Sequence, residues 1–134
     1  MPADTAMPIL VVDDFQTMNR IIRNLLKQIG FGDVDDAGDG VSALARMRDK
    51  TYGLVISDWN MEPMSGYELL REIRRMPSLA DTPFIMVTAE AKTESVAAAR
   101  RAGVSNYIIK PFNAELLKSK IDAVFAERVS ALCP

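Results

Sequence analysis

The sequence predicts an α/β fold in which a doubly wound, five-stranded parallel sheet carries helices on both faces. Four short apolar runs are continuous and rich in β-branched residues, as strands covered on both sides must be. Helical patterns separate them, so strand and helix alternate in βαβ units with right-handed crossovers. The chain's 134 residues, 49% hydrophobic and 25% charged, suit one compact core.

The first run is Ile9-Leu10-Val11-Val12. From Met18 to Ile29, the residues Met18, Ile21, Ile22, Leu25, Leu26 and Ile29 form one stripe at a 3.6 period, with Asn, Arg, Lys and Gln between them and Gly30 as a stop signal. Asp33 to Ala37 is polar enough to read as an edge strand. Val41 to Asp49 follows as a helix with Leu44 and Met47 inward, then Leu54-Val55-Ile56 as a central strand. Tyr67 to Met76 is helical with Leu69, Leu70 and Ile73 inward, and Phe84-Ile85-Met86-Val87 is the next strand. Thr93 to Ala102 is helix-prone through its alanines. Val96 is its one large apolar anchor, so it should be the most loosely packed helix. Tyr107-Ile108-Ile109 and a helix from Ala114 to Glu127, with Leu117, Ile121 and Val124 inward, complete the pattern. Residues 1–7 read as a flexible extension, 8–129 as the domain and 130–134 as a tail.

Composition narrows the chemistry. Sixteen Lys and Arg against 18 Asp and Glu give a net charge of −2, which offers no drive toward nucleic acid or an anionic membrane. No stretch is long and apolar enough for a membrane span, and the first residues lack the pattern of a secretory signal, so a cytoplasmic protein is expected. The single cysteine, Cys133, can form neither an internal disulfide nor a Cys-rich zinc site, and its terminal position suggests exposure. With no histidine in the chain, Ser-His and Cys-His catalysis and His-ligated metals are excluded.

The informative residues follow the apolar runs: Asp13-Asp14, Asp58, Thr88 and Lys110. In an open parallel sheet the carboxyl ends of the strands share one edge, where ligands bind. Singly, each residue is as ordinary as a helix cap or a solvated lysine. Together they bring three carboxylates, a hydroxyl and an ammonium to one crevice. Such a crowd of carboxylates needs a cation, and an oxygen-only donor set favours Mg²⁺. A metal and an ammonium aimed at one carboxylate suit receipt of a phosphoryl group, with Asp58, closing the central run, as the deepest group and the nucleophile, and Asp13 and Asp14 at the rim. A nucleotide site fits poorly, since neither G-x-G-x-x-G nor G-x-x-x-x-G-K-[ST] occurs and the first turn is Asp14-Phe15-Gln16-Thr17.

These residues closely resemble the receiver domain of two-component response regulators, over about residues 8–126. The carriers are Val12-Asp13-Asp14-Phe15 with Thr17-Met18, Ala37-Gly38-Asp39-Gly40, Ile56-Ser57-Asp58-Trp59-Asn60-Met61, Met64-Ser65-Gly66 with Glu68-Leu69-Leu70, Met86-Val87-Thr88-Ala89-Glu90-Ala91-Lys92, and Tyr107-Ile108-Ile109-Lys110-Pro111-Phe112. Asp58-Trp59-Asn60-Met61 and Thr88-Ala89-Glu90-Ala91 resemble the chemotaxis branch. The resemblance implies a flavodoxin-like (βα)5 fold and a single-domain regulator that is not an enzyme beyond Mg²⁺-dependent self-phosphorylation and slow self-dephosphorylation. It implies that Asp58 takes phosphate from the phosphohistidine of a histidine kinase, that Asp13, Asp14, Asp58 and the backbone carbonyl of Asn60 hold Mg²⁺, and that Lys110 contacts the phosphoryl oxygens. It further implies a switch in which the Thr88 hydroxyl moves toward the phosphoryl group and Tyr107 rotates into the space released. Asn60 and Glu90 match positions that tune hydrolysis, Lys110-Pro111 matches a cis peptide aiming the lysine inward, and the output face includes Ala91, Val96, Tyr107 and Lys120. A flagellar motor switch protein is the expected partner of a monomeric chain, and a phosphatase is a further candidate. One departure is Met61-Glu62-Pro63-Met64, where the proline falls one place late and Glu62 stands beside the metal site; Glu62 is read as solvated.

Without the resemblance, Tyr107 is an ordinary half-buried aromatic, Met61 and Met64 are loop packing, and Arg100 and Arg101 are solvated charge. A phosphorelay intermediate or phosphate sink without motor output is the nearest alternative function. An aspartyl-phosphate hydrolase is a rival from another class, disfavoured by the lack of a spare general base and of length for a substrate cap. A metal- or flavin-binding module without chemistry is a third.

Overall fold

A computed structural model describes residues 5–89 and 92–132, the side chains of residue 93 and of 127–132 excepted. The expectations for Glu90, Ala91 and Cys133 therefore fall outside the described residues. The elements in chain order are β1 (Ile9–Val12), α1 (Gln16–Ile29), β2 (Val34–Ala37), α2 (Gly40–Asp49), β3 (Leu54–Asp58), α3 (Gly66–Arg75), β4 (Phe84–Thr88), α4 (Thr93–Ala102), β5 (Asn106–Ile109) and α5 (Ala114–Leu132). The five strands form one sheet in the order β2-β1-β3-β4-β5, and every neighbouring pair is parallel. Among the described residues no helix is long and apolar enough to cross a membrane.

Side chains alternate along each strand and sort into two layers. Ile9, Val11, Leu54, Ile56, Ile85, Val87 and Ile108 meet Ile22 and Leu26 of α1 and Leu117, Ile121 and Val124 of α5. Leu10, Val12, Val55, Phe84 and Met86 meet Ala43, Leu44 and Met47 of α2 and Leu69, Leu70 and Ile73 of α3. Both faces are covered, which is why the central strands read as unbroken apolar runs. The helices begin and end at local signals. The Asp39 carboxylate accepts the Ser42 N–H at 2.8 Å, Ser65 and Glu68 form a capping box, and Gly30, at φ 121°, closes α1 by donating its N–H to Leu26 and Lys27.

Four local expectations need correction. Ile21, placed in the apolar stripe of α1, is 45% exposed, whereas Asn19, placed on the polar side, is buried. The first turn of α1 lies against backbone carbonyls of the sheet edge, which only a polar side chain can satisfy. In α4 the fully buried residue is Ala99, while Val96 is half-buried; a small residue there lets the helix sit close to its neighbours. Met7, assigned to the flexible extension, packs against the α1/α5 layer. Finally, α5 runs past Glu127 to Leu132.

The polar edge strand is held by ion pairs and hydrogen bonds. Lys50 Nζ donates to Asp33 Oδ1 at 2.9 Å and to Asp35 Oδ2 at 3.0 Å, and the Tyr52 hydroxyl donates to the same Asp35 oxygen at 2.7 Å. The bonds from Tyr52 and Lys50 hold the Asp35 carboxyl below the usual carboxylate range, and burial with the Asp35 bond pushes the Tyr52 hydroxyl up to about 12. Tyr52→Phe is expected to cost about 1 kcal/mol in urea denaturation at neutral pH. Because the folded-state pKa of Asp35 is depressed, its contribution is present above the unfolded value and fades as pH falls through the folded one. The gap between wild type and variant should therefore close in acid. The Tyr52 side has the opposite sign: its raised pKa keeps its contribution intact below about pH 10, with loss as pH climbs through about 12.

Candidate functional site

Strand parity decides which side chains meet. Val11, Ile56 and Ile108 all belong to the α1/α5 layer, so the residues two further on, Asp13, Asp58 and Lys110, project from that same face at the carboxyl edge. Thr88 shares the parity of Met86, whose register partner is Tyr107, and so lies with Tyr107 on the opposite face.

The predicted constellation converges. Carboxylate oxygens of Asp13, Asp14 and Asp58 all lie within 4.8 Å of one another. Lys110 Nζ stands 3.0 Å from Asp58 Oδ1 and 3.7 Å from Asp13 Oδ2. The Lys110-Pro111 peptide is cis, as expected, and Glu62-Pro63 is cis as well. Thr88 is buried at the end of β4 and its carbonyl accepts the Lys110 N–H at 2.8 Å. Asn60 is exposed beside the cluster, in an open groove lined also by Asp14, Trp59, Met61, Glu62 and Ser65. Glu62 is exposed there, and Met61 is buried, as loop packing requires.

The expected order of depth is reversed. The side chain of Asp13 is 3% exposed and that of Asp58 11%, so Asp13 rather than Asp58 lies deepest, with Asp14 alone at the rim. The cause is the turn after β1, where Asp13 Oδ1 accepts the Phe15 N–H at 2.9 Å and is drawn under the start of α1. Burial raises the Asp13 pKa above its ordinary value; the Phe15 bond and Lys110 act against that rise, while Asp58 and Asp14 add to it. Its other oxygen, Oδ2, is buried with no hydrogen-bond partner. A buried, unsatisfied carboxylate oxygen beside two further carboxylates is a donor set that fits a hard divalent cation such as Mg²⁺.

Around these residues lie others that the sequence reading missed. Asn19 Nδ2 donates to the carbonyls of Asp13 at 2.9 Å and Ala37 at 3.3 Å, pinning the β1–α1 turn to the neighbouring strand. Its only advance signal was a small amide inside the first turn of an apolar helix. Asn19→Ala takes its side-chain donor from the buried Asp13 carbonyl and one of two donors from the Ala37 carbonyl, which keeps the Asp13 N–H at 3.1 Å, so a loss of about 1–3 kcal/mol is expected in chemical denaturation, together with weaker Mg²⁺ binding through a displaced Asp13. Gly66, which opens α3, donates its N–H to the Trp59 carbonyl at 2.8 Å and packs directly against the backbone of Asp58.

Tyr107 is half-buried, its ring edge-on to Trp59 at 6.4 Å between centroids, and Trp59 in turn stacks on Tyr67 at 5.5 Å. Val96 and Tyr107 line one groove of about 250 Å³ with Arg100 and Val104. Lys120 is half-buried on α5, and its carbonyl accepts from Asn106 Nδ2 at 3.2 Å.

Similarity to known proteins agrees with this geometry. Residues 9–122 match the family model described as the response regulator receiver domain. The chain is 47% identical over 119 residues to chemotaxis protein CheY-3 of Vibrio cholerae, covering 89% of this chain and 92% of that protein. It is 47% identical over 124 residues to chemotaxis protein CheY of Pseudomonas aeruginosa, covering 92% and 99%. Among solved structures, that of chemotaxis protein CheY4 of Vibrio cholerae, crystallized at low pH, superimposes with a TM-score of 0.83 at 30% identity, covering 89% of this chain and 98% of that one.

Proposed function

We infer that this chain, which belongs to the response regulator receiver domain family, is a phosphorylation switch of chemotaxis that carries phosphate on Asp58. The observation that carries the reading is Lys110 Nζ at 3.0 Å from Asp58 Oδ1, inside a cluster of three carboxylates. A lone ammonium would pair with one acid in water; here it stands nearest Asp58, with Asp13 Oδ2 also within 3.7 Å.

In the proposed step an Asp58 oxygen attacks the phosphorus of a kinase phosphohistidine. The P–N bond breaks, the electron pair stays with the imidazole, which takes a proton, and an acyl phosphate forms on Asp58. Asp13, Asp14, Asp58 and the Asn60 carbonyl would hold Mg²⁺, which supplies charge neutralisation for the entering phosphoryl oxygens. Lys110 pairs with the new charge. Thr88 and Tyr107 share the other face of the sheet edge, so a Thr88 hydroxyl drawn toward the phosphoryl group frees volume beside Tyr107. Rotation of Tyr107 would then reshape the surface it forms with Val96 and Lys120, to which a flagellar motor switch protein binds. Asn60 sits where it can tune water access to the acyl phosphate.

Trp59 adjoins both the acid cluster and Tyr107, and it is the only tryptophan. Adding Mg²⁺ should change its fluorescence, EDTA should reverse the change, and Asp13→Asn should weaken the Mg²⁺ response at least about tenfold by removing a buried charged ligand. Co-sedimentation with a motor switch protein should rise on treatment with acetyl phosphate and Mg²⁺. A phosphorylated form with no gain in affinity would instead identify a phosphate sink.

A further inference from the structure

Trp59 is tied down at its backbone and steered at its ring. Its N–H donates to the Val87 carbonyl at 3.1 Å and its carbonyl accepts the Gly66 N–H at 2.8 Å, so both main-chain polar groups are held, one by β4 and one by the start of α3. Neither bond sets where the indole points, because its side-chain torsions remain free. Tyr67 supplies that constraint. The chain leaves β3, loops out and returns at Gly66, whose missing Cβ lets α3 begin against the backbone of Asp58. The next residue is Tyr67, and its ring stacks on Trp59 with centroids 5.5 Å apart and planes 15° from parallel. The Arg71 guanidinium, one helical turn on, lies 5.8 Å from the centroid of the Tyr67 ring, a cation–π contact that favours this rotamer. Trp59 in turn meets Tyr107 edge-on, with centroids 6.4 Å apart and planes at 71°.

We propose that Tyr67 is a positioning residue of the switch: by stacking on Trp59 it fixes the indole against which Tyr107 rests, and so sets how readily Tyr107 rotates. This inference rests on the reading of Tyr107 as the moving part. Tyr67 belongs neither to the acid cluster nor to its ammonium contacts, so its influence on Tyr107 passes through packed rings rather than through charge. Stacked and edge-to-face pairs each bias an equilibrium by about two- to tenfold beyond the area they bury. An indole released from Tyr67 spreads over several rotamers, and Tyr107 then meets its edge only part of the time. The orientation shown here loses that much of its advantage over the rotated one.

The chain has three tyrosines and one tryptophan, which makes both rings observable. Uniform 3-fluorotyrosine labelling gives one ¹⁹F resonance per tyrosine, and Tyr107→Phe identifies that of Tyr107. Tyr67→Leu should raise acrylamide quenching of Trp59. With no phosphodonor present, it should also move the Tyr107 resonance toward the position taken in the wild type with acetyl phosphate and Mg²⁺, by a change of about two- to tenfold in the rotation equilibrium. Tyr67→Phe keeps the ring and should match the wild type in both signals. Tyr67→Leu added to Trp59→Leu should move Tyr107 no further than Trp59→Leu alone, because the effect passes through the indole. Ser65→Ala, which removes the capping box at the same helix end but keeps both rings, should lower the melting temperature and leave both signals in place. The proposal is overturned if Tyr67→Leu leaves Trp59 quenching unchanged, if Trp59 loosens while the Tyr107 resonance stays, if Tyr67→Phe or Ser65→Ala reproduces the effect of Tyr67→Leu, or if that effect persists without the indole. A wild-type Tyr107 resonance that ignores phosphorylation overturns the switch reading and this inference with it. A response in the wild type with no displacement in Tyr67→Leu overturns this inference alone.

Discussion

Asp58→Asn should take up no phosphoryl group. With acetyl phosphate and Mg²⁺, intact-mass spectrometry of the wild-type chain should gain one phosphoryl mass, and the variant should gain none. The substitution keeps size and hydrogen-bonding reach but removes the anionic oxygen that we propose attacks phosphorus, and no other group in the cluster is placed to replace it. Asp14 is exposed at the rim, away from the direct ammonium contact. Asp13 is buried, its Lys110 contact is longer at 3.7 Å, and one of its oxygens is tied to the Phe15 N–H. Asn in place of Asp58 also removes one negative charge from the set that fits a cation, so Mg²⁺ should raise the melting temperature of the wild type more than that of the variant. A mass gain that persisted would put the acceptor elsewhere, and peptide mapping would find it. Turnover of acetyl phosphate in large excess over protein would favour a hydrolase.

Much of this was legible in the residues alone because it rests on alternation and strand ends. The apolar runs of β1, β3 and β4 named strands buried on both faces, the run of β5 named an edge strand, and the proposed site residues follow the runs directly or, for Asp58, after Ser57. What was not legible depends on which group a fold places against which backbone. Depth in the crevice was read from the central position of β3, which favoured Asp58, yet the β1–α1 turn buries Asp13 further because it offers a backbone donor within reach. The period of α1 counted Ile21 as core and Asn19 as surface, since hydrophobicity says nothing of the backbone carbonyls under the helix that an amide can reach. Val96 outranked Ala99 as an anchor by size, although close approach of α4 selects the smaller side chain.

Gly66→Ala should couple a loss of stability to a loss of phosphorylation. Gly66 is buried at the start of α3, and a Cβ placed on it would overlap the carbonyl oxygen of Asp58 while lying 3.0 Å from the Asp58 carbonyl carbon and from Met86 Sδ. The methionine end can swing away, but the carbonyl belongs to the backbone that carries the acceptor. Either α3 backs off, breaking the 2.8 Å bond from Gly66 to Trp59, or the end of β3 shifts and takes Asp58 and Asn60 with it. Overpacking of this kind costs about 1–3 kcal/mol, and contact with unyielding backbone places it at the upper end. Phosphorylation by acetyl phosphate should fall at least about tenfold, because displacement of an attacking oxygen by a fraction of an ångström is costly. Ser65→Ala separates the two effects. It removes the capping box at the same helix end for about 1 kcal/mol but puts no atom against Asp58. That variant should melt earlier yet phosphorylate at close to the wild-type rate. If the two variants lost phosphorylation equally, the stability of α3, and not the clearance at Gly66, would be what holds Asp58 in place.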